Sequence, residues 1–211
     1  MVNIQHFWPP DSAVPDYSRH AVGQLLQRRF KVSRGFYELE RQQGHFPEEV
    51  DLATPDTQDY VRLLGFRFLE ELSESRDSVD EAHRLEELID AINYLLNMAQ
   101  IDARYVSEAE LVNYIDQCIQ RDVWGCFYLT NSDSNFIEIV TGITGKMADT
   151  LRNRSWMEQA QDIQWSGKFV FMEVFKNAFE LIISEFPSWE IFWKYFVAKD
   201  DVLNFRLQSK Y

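Results

Sequence analysis

Between Gly167 and Glu185 the chain is apolar on nearly every side, through Phe169, Val170, Phe171, Met172, Val174, Phe175, Phe179, Leu181, Ile182 and Ile183. A helix of that composition has to be surrounded by other helices or by lipid. No run of about 18 apolar residues occurs in the sequence, so a membrane span is not expected. The segment predicts the central buried helix of a helical domain. Its one polar stripe, Glu173, Asn177 and Glu180, spaced by four and three, predicts either the lining of a pocket or an exposed face.

The remaining pattern is also helical. Val61, Leu64, Phe68 and Leu72 recur by threes and fours in a helix starting near Thr57. Leu85, Leu88, Ile92, Leu95, Leu96 and Ala99 form the stripe of another, from about Leu85 to Gln100, after a charged stretch from Ser75 to Arg84. Val22, Leu25, Leu26, Phe30, Phe36 and Tyr37 mark a helix from about His20 to Arg41, which Gly35 could break. Ser107-Glu108-Ala109-Glu110 is a capping box and predicts a helix to about Ile119. Further helices are expected from about Asn135 to Arg152 and, beyond Pro187, from Ser188 to Leu207. Trp189 and Trp193 on this last helix read as core or dimer-interface anchors. No strand alternation and no βαβ rhythm appears, which disfavours doubly wound and barrel folds. The expected architecture is all-α, a multi-helix bundle formed by one domain over residues 20–211. An N-terminal extension, 1–19, precedes it, and a variable insertion interrupts it at about 103–135.

Acidic residues outnumber basic ones 34 to 21, for a net charge of −13, which argues against a nucleic-acid or anionic-membrane surface. Two cysteines, Cys118 and Cys126, are too few for a disulfide framework or a zinc site, and a reducing cytoplasm fits them. The segment from Met1 to Tyr17 lacks the pattern of a signal peptide. Gly142-x-x-Gly145-Lys146 is not a phosphate-binding loop, because Met147 stands where serine or threonine would hold magnesium. The four histidines show no metal-ligand spacing.

The acidic excess becomes specific at two places. Glu70-Glu71-x-x-Glu74 closes one predicted helix, and Glu87-x-x-Asp90 opens the next after twelve intervening residues. Residues three apart on a helix differ by roughly 60° in azimuth, so each pair can aim two carboxylates one way. Two such helices side by side could present four oxygen donors to a hard cation such as magnesium, a combination suited to phosphate-ester hydrolysis. On the helical wheel Glu71 borders its apolar stripe, whereas Glu87 and Asp90 lie almost opposite theirs, on a solvated face or in a wet cleft between helices.

Read together, Glu70-Glu71-Leu72-Ser73-Glu74 and Glu87-Leu88-Ile89-Asp90-Ala91-Ile92-Asn93 resemble the signature of the all-α NTP pyrophosphatases, which include MazG, the phage dCTPase-dUTPases and the dimeric dUTPases. A second similarity lies at the C-terminus, where the dUTPase relatives carry a pattern like K-N-x-x-N-x-x-R-Q-x-x-G-Y. Lys199, Arg206 and Tyr211 fall in register with it, and Asn204 sits one residue late. Asp200, Leu203, Leu207 and Lys210 replace the first asparagine, the second asparagine, the glutamine and the glycine. Gln27-Arg28-Arg29-Phe30-Lys31 matches the Q-x-x-L-N base-binding segment at the glutamine and the apolar position, with Lys31 for asparagine. Gln27 is thus a base contact or an ordinary exposed residue.

The resemblance implies a homodimeric enzyme that hydrolyses a deoxyribonucleoside triphosphate, dUTP or dCTP, to its monophosphate and pyrophosphate. Mg2+ would be bound by Glu71, Glu74, Glu87 and Asp90, with Glu70 assisting as outer-sphere carboxylate or base for water. Lys199 and Arg206 would contact phosphates, and Asn93, Asn204, Tyr211 and Gln27 would complete substrate binding. A non-catalytic nucleotide-binding or protein-interaction member of the same fold is the competing expectation.

Overall fold

The computed structural model describes residues 19–44, 54–101, 107–120, 140–142 and 167–209, and every regular element among them is α-helical. Residues 1–18 of the N-terminal extension, the segment from Trp124 to Asn135, Cys126, Gly145, Lys146, Tyr211 and nearly all of the helix expected over 135–152 lie outside the described residues. The helices are α1 (Arg19–Gln42), α2 (Pro55–Asp77), α3 (Glu81–Ile101), α4 (Glu108–Gln120), α5 (Gly167–Ser184) and α6 (Trp189–Ser209). No described helix is long and apolar enough to cross a membrane.

Local chemistry fixes several of these boundaries. Thr54 caps α2 by accepting from the Thr57 amide, and Pro55 follows at the position where a missing N–H costs nothing. The Ser107 capping box closes in both directions, Glu110 N to Ser107 Oγ at 3.2 Å and Ser107 N to Glu110 Oε2 at 3.0 Å. Ser188 Oγ likewise accepts from the Ile191 amide at the start of α6. At the far end of α1, Gly44 takes a φ of 75°, a left-handed conformation that suits glycine and stops the helix.

Two features differ from expectation. The charged stretch Ser75 to Arg84 is not a separate linker: α2 runs on to Asp77, α3 starts at Glu81, and only residues 78–80 lie between. The two helices therefore form a tight antiparallel hairpin with the largest pairing among the described helices. Gly35 does not break α1. Its missing Cβ makes room for the Leu207 side chain of α6, so the glycine serves a close helix approach rather than a turn.

The core is centred on α3, which packs against α1, α2, α5 and α6. Leu85, Leu88, Ile89, Ala91, Ile92, Leu95, Leu96, Met98 and Ala99 of α3 are all buried. The apolar segment α5 contributes Phe175, Ala178, Phe179, Ile182 and Ile183 but keeps Lys176 and Asn177 exposed. Between α5 and α6 lies an aromatic layer, in which Phe179, Phe186, Phe192, Trp193 and Phe196 meet mostly edge to face. Trp193 is fully buried, which assigns it to the core, and Trp189 stacks on it at a centroid distance of 6.3 Å. The polar stripe of α5 divides: Asn177 faces solvent, while Glu180 accepts a 2.6 Å hydrogen bond from the Tyr114 hydroxyl of α4.

Candidate metal centre

The α2–α3 hairpin brings the two acidic motifs face to face. Carboxylate oxygens of Glu71, Glu74 and Glu87 all lie within 4.8 Å of one another. Two oxygens on opposite sides of one ion are separated by about 4.2 Å for magnesium and about 5 Å for calcium, from metal–oxygen distances of roughly 2.1 and 2.5 Å. The spacing thus fits a single hard divalent cation after small side-chain adjustments. Glu74 is exposed, Glu71 half-buried and Glu87 buried, an arrangement open on one side.

The electrostatics show what this crowding costs. Burial, then a hydrogen bond with Glu87 and the charges of Asp90, Glu87 and Glu74, raise the Glu71 carboxyl to about 9. At neutral pH Glu71 keeps its proton and can donate it in the hydrogen bond with Glu87. A divalent ion relieves the same repulsion by replacing that proton, which is the chemical sense in which the donor set fits a metal. Tyr94, one turn beyond Asp90, is pushed up to about 12 by burial and by the Glu71 and Asp90 charges. Its hydroxyl stays a neutral donor beside the carboxylates.

Asp90 is not one of the three convergent donors. Lys199 of α6 donates to Asp90 Oδ2 and, at 3.3 Å, to Glu86 Oε1, with its ammonium almost wholly buried. Burial raises the Asp90 carboxyl, and Lys199 and Arg29 hold that rise back. The Asn93 amide donates to Asp90 Oδ1 at 3.0 Å, while Asn93 Oδ1 is buried and meets no partner among the described residues. Asn93 thus carries a spare acceptor one turn from Asp90.

The other expected site residues are dispersed. Glu70 is exposed and ion-paired with Arg67. Gln27 is exposed on α1. Arg206, half-buried, lies seven residues beyond Lys199 and so on nearly the same face of α6, about 10 Å further along; Asn204, also half-buried, is turned well away from that line.

Three contributors were missed by sequence reasoning. His83 Nδ1 lies 3.0 Å from Glu87 Oε1, one turn earlier on α3, and only the four-residue spacing hinted at it. Glu86 shares Lys199, a tertiary contact with no local signature. Arg29 of α1 forms a fully buried pair with Asp200 of α6, donates to the Phe196 carbonyl at 3.0 Å and lies 4.3 Å from the Phe196 ring centroid. Asp200, where the resembled pattern has asparagine, here serves the packing of α6 on α1. No family model, curated protein or solved structure matches the chain.

Proposed function

We propose that the protein is a magnesium-dependent pyrophosphohydrolase that converts a deoxyribonucleoside triphosphate, dUTP or dCTP, to its monophosphate and pyrophosphate. One observation carries the reading: Glu71, Glu74 and Glu87, from two separate motifs, converge within 4.8 Å. Bound Mg2+ would neutralise the polyphosphate and activate the attacking water. Glu71, Glu74 and Glu87 hold the cation, the Asn93 carbonyl oxygen can accept from a substrate hydroxyl, and Arg206 offers positive charge to phosphate oxygens. The same carboxylates leave the site strongly negative without the cation, so a nucleotide polyphosphate binds only with its metal. A homodimer and a cytoplasmic location belong to the same proposal.

The test is pyrophosphate release from a panel of nucleoside triphosphates with magnesium. Turnover of dUTP or dCTP is expected, and Glu74→Ala and Glu87→Ala should each abolish it. No turnover across the whole panel would sink the reading. A second reading, a non-catalytic nucleotide-binding or interaction protein of the same fold, is favoured by Lys199, which is buried against Asp90 and Glu86. Calorimetric binding of a nucleotide with no pyrophosphate release would select it.

A further inference from the structure

We infer that Lys199 is a built-in counter-cation which occupies the Asp90 side of the carboxylate cluster, so that the cluster takes one divalent ion and not a second. The inference rests on the reading of Glu71, Glu74 and Glu87 as a cation site. Five of the carboxylates on this stretch of α2 and α3 divide into two groups. Glu71, Glu74 and Glu87 converge on one another. Glu86 and Asp90 instead converge on the Lys199 ammonium. The charge that a second metal would supply at Asp90 is already present as a covalently tethered nitrogen.

Two features hold Lys199 in that place. Its side chain is 7% exposed, so an ion displacing it would leave a buried ammonium with neither of its carboxylates. The adjacent residue, Asp200, is locked to Arg29, whose guanidinium also holds the Phe196 carbonyl one turn earlier on α6. The backbone that carries Lys199 is thereby fixed against α1. Asn93 completes the arrangement by donating to the Asp90 oxygen that Lys199 does not take.

The experiment counts Mn2+ bound to the nucleotide-free, full-length protein by electron paramagnetic resonance titration. The wild type should saturate at a single Mn2+ per chain. Lys199→Met, which keeps the length of the side chain and removes its charge, should admit a second Mn2+, and Lys199→Met with Asp90→Asn should return the count to one. A second tight Mn2+ on the wild type overturns the inference even if the methionine variant does not fold, and leaves the cation site standing. An unchanged count in folded Lys199→Met overturns it likewise. No Mn2+ on the wild type would remove both the inference and the cation site beneath it.

Discussion

Glu87 and Asp90 stand three residues apart on α3 and keep opposite electrostatic company. Glu87 faces Glu71 and Glu74 across the hairpin, and three carboxyl groups crowd together, with the exposed His83 ring beside Glu87. Asp90 faces Lys199, next to the fully buried Arg29–Asp200 pair, where each charge has its counterpart. Both regions use the same residue types on the same helix. The neutralised region is self-sufficient and acts as structure. The unneutralised one relieves its repulsion by holding a proton on Glu71, a cost that a bound cation would remove. That contrast is open to direct attack.

The largest effect should come from breaking the neutralised region. Arg29→Met leaves the buried Asp200 with the longer, partly exposed contact to Arg28 at 3.7 Å, at a cost of up to about 3–5 kcal/mol. Adding Asp200→Leu should recover most of that loss, because a buried pair is dispensable as a pair. Thermal denaturation of both variants decides this: a single variant as stable as wild type would show that the pair is not holding α1 to α6.

An effect of the next size concerns the unneutralised region and pH. Folded Glu71 titrates near 9 and a free glutamate near 4.5, so between those values the folded chain binds more protons than the unfolded one. Stability in cation-free buffer should therefore fall as pH rises through this window, with no contribution from Glu71 below about 4.5. Because a divalent ion must displace the Glu71 proton, its affinity should rise by up to roughly tenfold per pH unit up to about 9. Calorimetric titrations of Mg2+ at pH 6.5 and 8.5 measure it. Equal affinities would contradict a proton held on Glu71.

The smallest effect sharpens the contrast through one substitution. Glu71→Gln replaces a carboxyl that burial and its acidic neighbours hold protonated at pH 8, so in cation-free buffer it should stabilise the fold by less than about 1 kcal/mol, solvent screening included. The wild type should gain melting temperature on addition of Mg2+, and the same variant should lose that gain. Arg29→Met should instead retain that Mg2+-dependent rise on its lowered baseline.

Most of the fold was legible because it depends on periodicity and local chemistry. The stripe from Val61 to Leu72, the stripe from Leu85 to Ala99 and the Ser107 capping box each state a helix within one segment, and each helix is present. The wheel was less informative for Glu87 and Asp90. It placed them opposite the apolar stripe, yet Glu87 is buried and Asp90 four-fifths buried, because α3 is covered on several sides and carries no free outer face at that level. A wheel ranks the sides of one helix and holds no information about how many neighbours surround it.

The sequence by itself determined an all-helical chain, the ends of several helices, and two acidic motifs close enough along the chain to meet. Those properties follow from interactions within a few residues. Only the tertiary structure decided which carboxylates meet: Glu74 joins Glu71 and Glu87, while Asp90 goes to Lys199, more than 100 residues away. It also paired Arg29 with Asp200, a contact no spacing announces. Helix formation is a local property of the chain, but the choice of counter-charge is made where distant helices pack, and there a few ångströms separate a neutral pair from a cluster of like charges.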